Sequence, residues 1–74
     1  MNELVEVIEK TADAFYQQRE EEGYQYLNIV IEQLLQFDSR VLDTKLALAV
    51  EAMQKKDTIL LADVLLYEIK GLFE

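Results

Sequence analysis

An all-α fold of four short amphipathic helices, paired as two helical hairpins in a bundle, is predicted by three features of this sequence. The 74 residues contain no proline and two glycines, so the chain lacks the residues that strand ends and hairpin turns use. Apolar residues recur every three or four positions, which is the period of a helix face. Short polar segments separate four such stretches, as in helical bundles. We expect one helical domain spanning 1–74.

The first helix is predicted over residues 2–19. Acidic and basic side chains, among them Glu6 and Lys10, alternate with an apolar stripe that would face the core. The stripe consists of Leu4, Val5, Ile8, Ala12, Phe15 and Tyr16.

The segment 17–24 is expected to form a turn between the first two helices. It contains good helix formers, so one continuous helix is the alternative. Continuation would place Arg19 and Glu22 on the apolar stripe, whereas a turn lets the two apolar faces pack together. Within this turn, Gly23 could be the left-handed residue after the first helix. Alternatively, the three glutamates at 20–22 could lie at the positive N-terminus of the second helix.

The remaining helices are predicted over 22–37, 39–55 and 58–71. Asp38 or Ser39 suits the N-cap of the third helix, and Asp57 or Thr58 suits that of the fourth. Gly71 is expected to mark the end of the last helix.

Composition excludes several classes of function. The chain has 15 acidic and 7 basic residues, a net charge of −8, which disfavours binding to nucleic acid or to an anionic membrane. It has no cysteine or histidine, so thiol and imidazole catalysis and most zinc sites are excluded. We therefore expect no enzyme activity, no metal site and no cofactor. The alternative is a carboxylate-based metal-binding or enzymatic bundle that uses Asp63 or Glu68.

No secretory signal is expected, because the chain opens Met-Asn-Glu-Leu-Val-Glu and lacks an apolar stretch of the required length. A cytoplasmic location is the prediction.

The second and fourth helices carry more apolar residues than one narrow stripe needs. A monomer of this size would leave part of that surface exposed, so we expect it to be buried in a homodimer or against a partner helix. Tyrosines near the first turn fit such an interface, because the ring can pack on an apolar surface while the hydroxyl stays in contact with water. The predicted partner-binding residues are Tyr24, Tyr26, Leu27, Ile31, Leu61, Leu65 and Leu66.

Within 51–69 the chain contains the segment Lys-Asp-Thr-Ile-Leu-Leu-Ala-Asp. This segment resembles the Lys-Asp-x-x-Leu-Leu-Ala-Asp tail of a family of small uncharacterised helical proteins from Firmicutes. Residues 22–27 are also similar, whereas Thr58 and Leu66 stand where the family has an aromatic residue and an acid. The resemblance implies a helical fold and a motility-associated adaptor or flagellar chaperone-like role in a bacterium. It supplies no catalytic motif.

These observations together predict a non-enzymatic helical interaction module that binds an amphipathic partner helix or a second copy of itself.

Overall fold

The computed structural model describes residues 2–74 and confirms the all-α, bundle-like prediction. The last helical stretch changes its hydrogen-bonding pattern twice without a break, and its three parts are together called the C-terminal helix. The elements are α1 (Glu3–Tyr16), α2 (Glu20–Leu34), α3 (Arg40–Gln54) and the C-terminal helix, which consists of α4 (Thr58–Asp63), a π-helix (Val64–Ile69) and a 3-10 turn (Lys70–Leu72).

The centre of the bundle is formed by α1 and the C-terminal helix. Helix α2 packs along α1, and α3 packs against the C-terminal helix. Within residues 2–74, α2 and α3 do not pack along one another, so a gap remains between them. The core they share is apolar, and its largest fully buried apolar side chains are Ile8, Phe15, Val30, Leu34, Leu42, Leu61, Leu65 and Ile69.

The two ends of the described chain meet. The Asn2 side-chain amide donates a hydrogen bond of 2.6 Å to the carbonyl oxygen of Phe73. The rings of Phe37 and Phe73 meet edge to face with their centroids 5.0 Å apart, which ties the turn between α2 and α3 to the C-terminus. The Lys70 ammonium lies 3.2 Å from a carboxylate oxygen of Glu9 on α1.

Two turns share one backbone motif. Gln18 (φ 63°) and Lys56 (φ 55°) adopt the left-handed conformation one residue beyond the C-caps of α1 and α3. The next amide in each case donates to a carbonyl five residues earlier, Arg19 to Ala14 and Asp57 to Ala52. This is the Schellman arrangement, here made without glycine. It ends α1 at Tyr16 rather than near residue 19.

Gly23 is not the left-handed residue of the first turn, because it lies inside α2 and has no positive φ. The expected alternative is the one observed: Glu20, Glu21 and Glu22 form the first turn of α2, where the helix dipole favours acids. Consequently α2 covers Glu20–Leu34 rather than the predicted 22–37.

Side-chain caps define the other helix starts. The Asn2 side chain accepts from the amides of Leu4 and Val5. Ser39 caps α3, so Asp38 is not the N-cap there. Asp57 caps α4, so Thr58 is not the N-cap of that helix. These caps place both helices within one residue of their predicted starts.

Candidate partner-binding groove

An entirely apolar groove lies between α2 and α3 and is called the α2–α3 groove. It encloses about 190 Å³. Its floor includes Leu65 of the π-helix. The lining residues are Leu27, Val30, Ile31, Leu34, Leu35, Leu46, Ala49, Val50, Met53 and Leu65.

Helical spacing explains how both walls form. On the first wall, the α2 residues begin at Leu27 and recur at steps of three, four and seven, and the C-cap Leu35 adds a step of eight. On the second wall, the α3 residues begin at Leu46 and recur at steps of three, four and seven. Side chains at these steps share one face of a helix. The small, buried side chain of Ala49 lies in the α3 wall between larger residues.

The floor of the groove is core and its upper walls are exposed. Leu27, Leu34 and Leu65 are buried. Leu35 is 72% exposed and Val50 47% exposed, although each is apolar and lies beside the groove. Exposed apolar side chains around an apolar groove are typical of a surface that another molecule covers.

Three of the seven predicted partner-binding residues, Leu27, Ile31 and Leu65, line this groove. Leu61 is fully buried and lies away from it. Tyr24 packs edge to face on Phe15, with ring centroids 5.1 Å apart. Tyr26 and Leu66 are partly buried and also lie outside the groove.

Sequence reasoning missed the α3 wall. None of the α3 lining residues Leu46, Ala49, Val50 and Met53 is among the predicted partner-binding residues. The available signal was the adjacency of Ala49 and Val50, which widens the α3 stripe beyond one narrow line.

A second apolar surface, the outer patch, lies where α3 meets the C-terminal helix on another side of the molecule. Its apolar members are Leu48, Leu60, Val64 and Tyr67, and Tyr67 is 75% exposed. Three acids border these side chains: Glu51, Asp63 and Glu68. Two of the acids have lysine partners, because Lys55 pairs with Glu51 and Lys45 with Glu68.

Asp63 accepts a hydrogen bond from the Tyr16 hydroxyl of α1. Partial burial, together with this hydrogen bond and the negative charge of Asp63, raises the pKa of Tyr16 to about 12. Hydrogen bonds to Glu74 and Glu9 raise the pKa of Lys70. Asp63 and Glu68, the two acids considered for chemistry, thus each contact a residue of another helix.

Within residues 2–74, no three acidic side chains gather where they could hold a metal ion. No helix in that range is both long enough and apolar enough to cross a membrane.

No protein-family model, curated protein or solved structure matches this chain.

Proposed function

We propose that this protein is a non-enzymatic interaction module whose α2–α3 groove binds one face of an amphipathic helix from a partner. The observation that carries the proposal is the combination of an all-apolar groove with exposed apolar walls at Leu35 and Val50. A groove between helices that lacks polar groups suits the apolar side chains of a helix, which repeat along one face.

The chemistry of the groove favours binding over catalysis. Sites that orient a polar substrate combine apolar walls with a few convergent polar groups. All ten lining residues of this groove are apolar. A partner helix needs no polar group from the groove, because its backbone hydrogen bonds are satisfied within the helix.

Two valines of α3 provide a matched test. Val50 lines the groove and is 47% exposed, whereas Val41 lies outside it and is 56% exposed. We expect Val50→Asp to weaken binding of an uncharged, fluorescently labelled amphipathic peptide of leucine, alanine and glutamine by about tenfold or more. A charge placed in an apolar contact must lose its hydration on binding. Fluorescence anisotropy measures the affinity.

Val41→Asp is the control and should bind the same peptide as the wild type does. Both variants are expected to keep the wild-type circular dichroism spectrum, because both positions are already solvated. Equal binding by Val50→Asp and wild type would exclude the groove as the site.

We propose in addition that the chain forms a homodimer through the outer patch rather than through the groove. The patch carries exposed Leu60 and Tyr67 beside both acids and lysines. A surface with charges of both signs can pair with its own copy across a two-fold axis.

Light scattering should give a dimer mass for the wild type and a monomer mass for Tyr67→Glu. A monomeric wild type would reject this part.

The resemblance of residues 51–69 to the Firmicutes family is the reason for proposing an adaptor or chaperone-like role in the bacterial cytoplasm. A chaperone-like role predicts that an equimolar amount of this chain keeps an aggregation-prone amphipathic helix in solution. The Val50→Asp variant should fail to do so, while Val41→Asp should succeed.

A further inference from the structure

We infer that the helix bound by the α2–α3 groove belongs to another protein, is positively charged beside its apolar face and inserts one large apolar side chain. This inference rests on the proposed function of the groove. It adds the chemistry of the partner.

The first reason is the charge of the α2 wall. Helix α2 contains Glu20, Glu21, Glu22 and Glu32 and no lysine or arginine. Glu32 is exposed and follows the groove residue Ile31 directly. The glutamates at 20–22 lie five to seven residues before Leu27, which is about 10 Å along a helix. Arg19 at the N-cap pairs with Glu22, so a bound helix would meet the negative charge of Glu20, Glu21 and Glu32 along this edge.

The α3 wall offsets little of that charge, because Arg40 at the start of α3 is balanced by the acid Asp43 in the same turn. Asp43 is exposed and lies three residues before Leu46 of the groove. Lys45 pairs with Glu68 of the C-terminal helix, and Lys55 at the C-cap of α3 pairs with Glu51. Complementary charges accelerate association and select partners, so lysine or arginine beside the partner's apolar face is favoured.

A second copy is a poor occupant of this groove. If α2 of one copy lay in the groove of another, its glutamates would approach the acids that border that groove. Like charges placed together across an interface are an effective means of rejecting a partner.

The size of the groove limits how much of the partner enters it. A dry apolar cavity of about 150 Å³ accommodates benzene. The α2–α3 groove, at about 190 Å³, is thus suited to one aromatic or long aliphatic side chain. The remaining apolar residues of the partner would lie on Leu35 and Val50 at its upper walls.

Three labelled helical peptides test the inference. The basic probe has one central phenylalanine on an alanine and leucine face, flanked by lysines. The acidic probe replaces each lysine by glutamate, and the truncated probe replaces phenylalanine by alanine. We expect the basic probe to bind at least about tenfold more tightly than either of the others at low salt. Its affinity should fall as salt is raised, because screening weakens exposed charges.

A pair of double variants separates the groove from the overall charge. Glu32→Gln with Asp43→Asn removes two acids beside the groove, whereas Glu3→Gln with Glu6→Gln removes two acids from α1. The first pair should weaken the basic probe about fivefold and the second should leave its affinity within about twofold.

Each of the other possible results rejects one part of the inference or of the proposed function. Equal losses from both double variants would mean attraction to the whole acidic chain and would reject a charged groove edge. Equal binding of the acidic and basic probes, both lost in Val50→Asp, would reject the inference and leave the proposed function standing. If the truncated probe bound as tightly as the basic probe, the insertion of one large apolar side chain would be rejected. If the uncharged peptide and all three probes fail to bind, both proposals are rejected.

Discussion

Gly23 shows how one missing side chain lets two helices approach. A Cβ atom at this position would lie 2.6 Å from Cε1 and 2.7 Å from Cδ1 of Phe15. The Phe15 ring is fully buried, so it has no open space into which to move. Glycine inside a helix normally costs about 1 kcal/mol relative to alanine, and here the close approach of α1 explains its presence.

We therefore expect Gly23→Ala to lower the free energy of unfolding by about 1–2 kcal/mol, because overpacking outweighs the gain in helix propensity. Urea denaturation followed by circular dichroism measures the change. Gly71→Ala is the control, since nothing lies within 4 Å of a Cβ there, and its stability should stay the same or rise slightly. A Gly23→Ala variant that is more stable than the wild type would show that α1 and α2 lie farther apart in solution than these distances to Phe15 imply.

Tyr16 gives a pH-dependent signature of the contact between α1 and the C-terminal helix. Its pKa is raised from 10.0 to about 12, so the folded state favours the neutral hydroxyl. The resulting stabilisation is complete below pH 10 and is lost as the pH rises from 10 towards 12.

Absorbance titration should accordingly show one tyrosine that ionises later than the others while the helical signal persists. Tyr16→Phe should remove this late transition and Tyr67→Phe should retain it. Asp63→Asn should shift it to lower pH, because the hydrogen-bonding carboxylate and its charge are gone. Late ionisation that survives in Tyr16→Phe would contradict this assignment.

At the scale of elements, the ends of α1 and α3 depend on non-glycine residues in a left-handed conformation. Gln18 and Lys56 hold φ values of 63° and 55°, which disfavour residues that carry a Cβ. We expect Gln18→Gly or Lys56→Gly to raise the free energy of unfolding by about 0.5–1 kcal/mol. Urea midpoints measure the gain.

Gln17→Gly is the matched control, because Gln17 has a φ of −88° that any residue adopts. Glycine there should destabilise the chain by increasing the freedom of the unfolded state. If Gln18→Gly and Gln17→Gly change the urea midpoint in the same direction, the left-handed turn is not present in solution.

The sequence predicted which segments are helical better than it predicted where they end. Apolar spacing and the caps Ser39 and Asp57 were sufficient for α3 and the start of α4. The end of α1 was not predictable from residue type, because Gln18 carries no preference for a left-handed turn. The π-helix Val64–Ile69 had no signal in the sequence either.

The candidate groove was only half predictable, and the reason lies in the whole molecule. Periodicity identifies an apolar face, but long-range packing decides which part of that face another helix covers. The α2 residues Leu27 and Ile31 were therefore found, whereas Val50 on α3 was not. Leu65 was first considered as an exposed interface residue, yet it is 1% exposed. Because Leu65 is buried in the core, the substitution Leu65→Asp would disrupt folding and would not report on binding.

At the scale of the whole molecule, the two apolar surfaces have different charge environments. The groove has an α2 wall with acids alone, and the outer patch has acids paired with lysines. This difference is the reason for proposing a basic partner for the groove and a second copy for the patch. Binding of the basic probe should therefore leave a dimer mass intact, while Tyr67→Glu should produce a monomer that still binds the probe.

The most direct test of the central proposal is to map the binding surface by NMR. Amide shifts of the nitrogen-15-labelled chain would be followed while the uncharged amphipathic peptide is added. The account predicts the largest changes in residues 27–35, which cover the second half of α2 and its C-cap, and in residues 46–53 of α3, with small changes on the exposed side of α1. Changes centred on the outer patch, or on α1, would contradict the α2–α3 groove as the docking site.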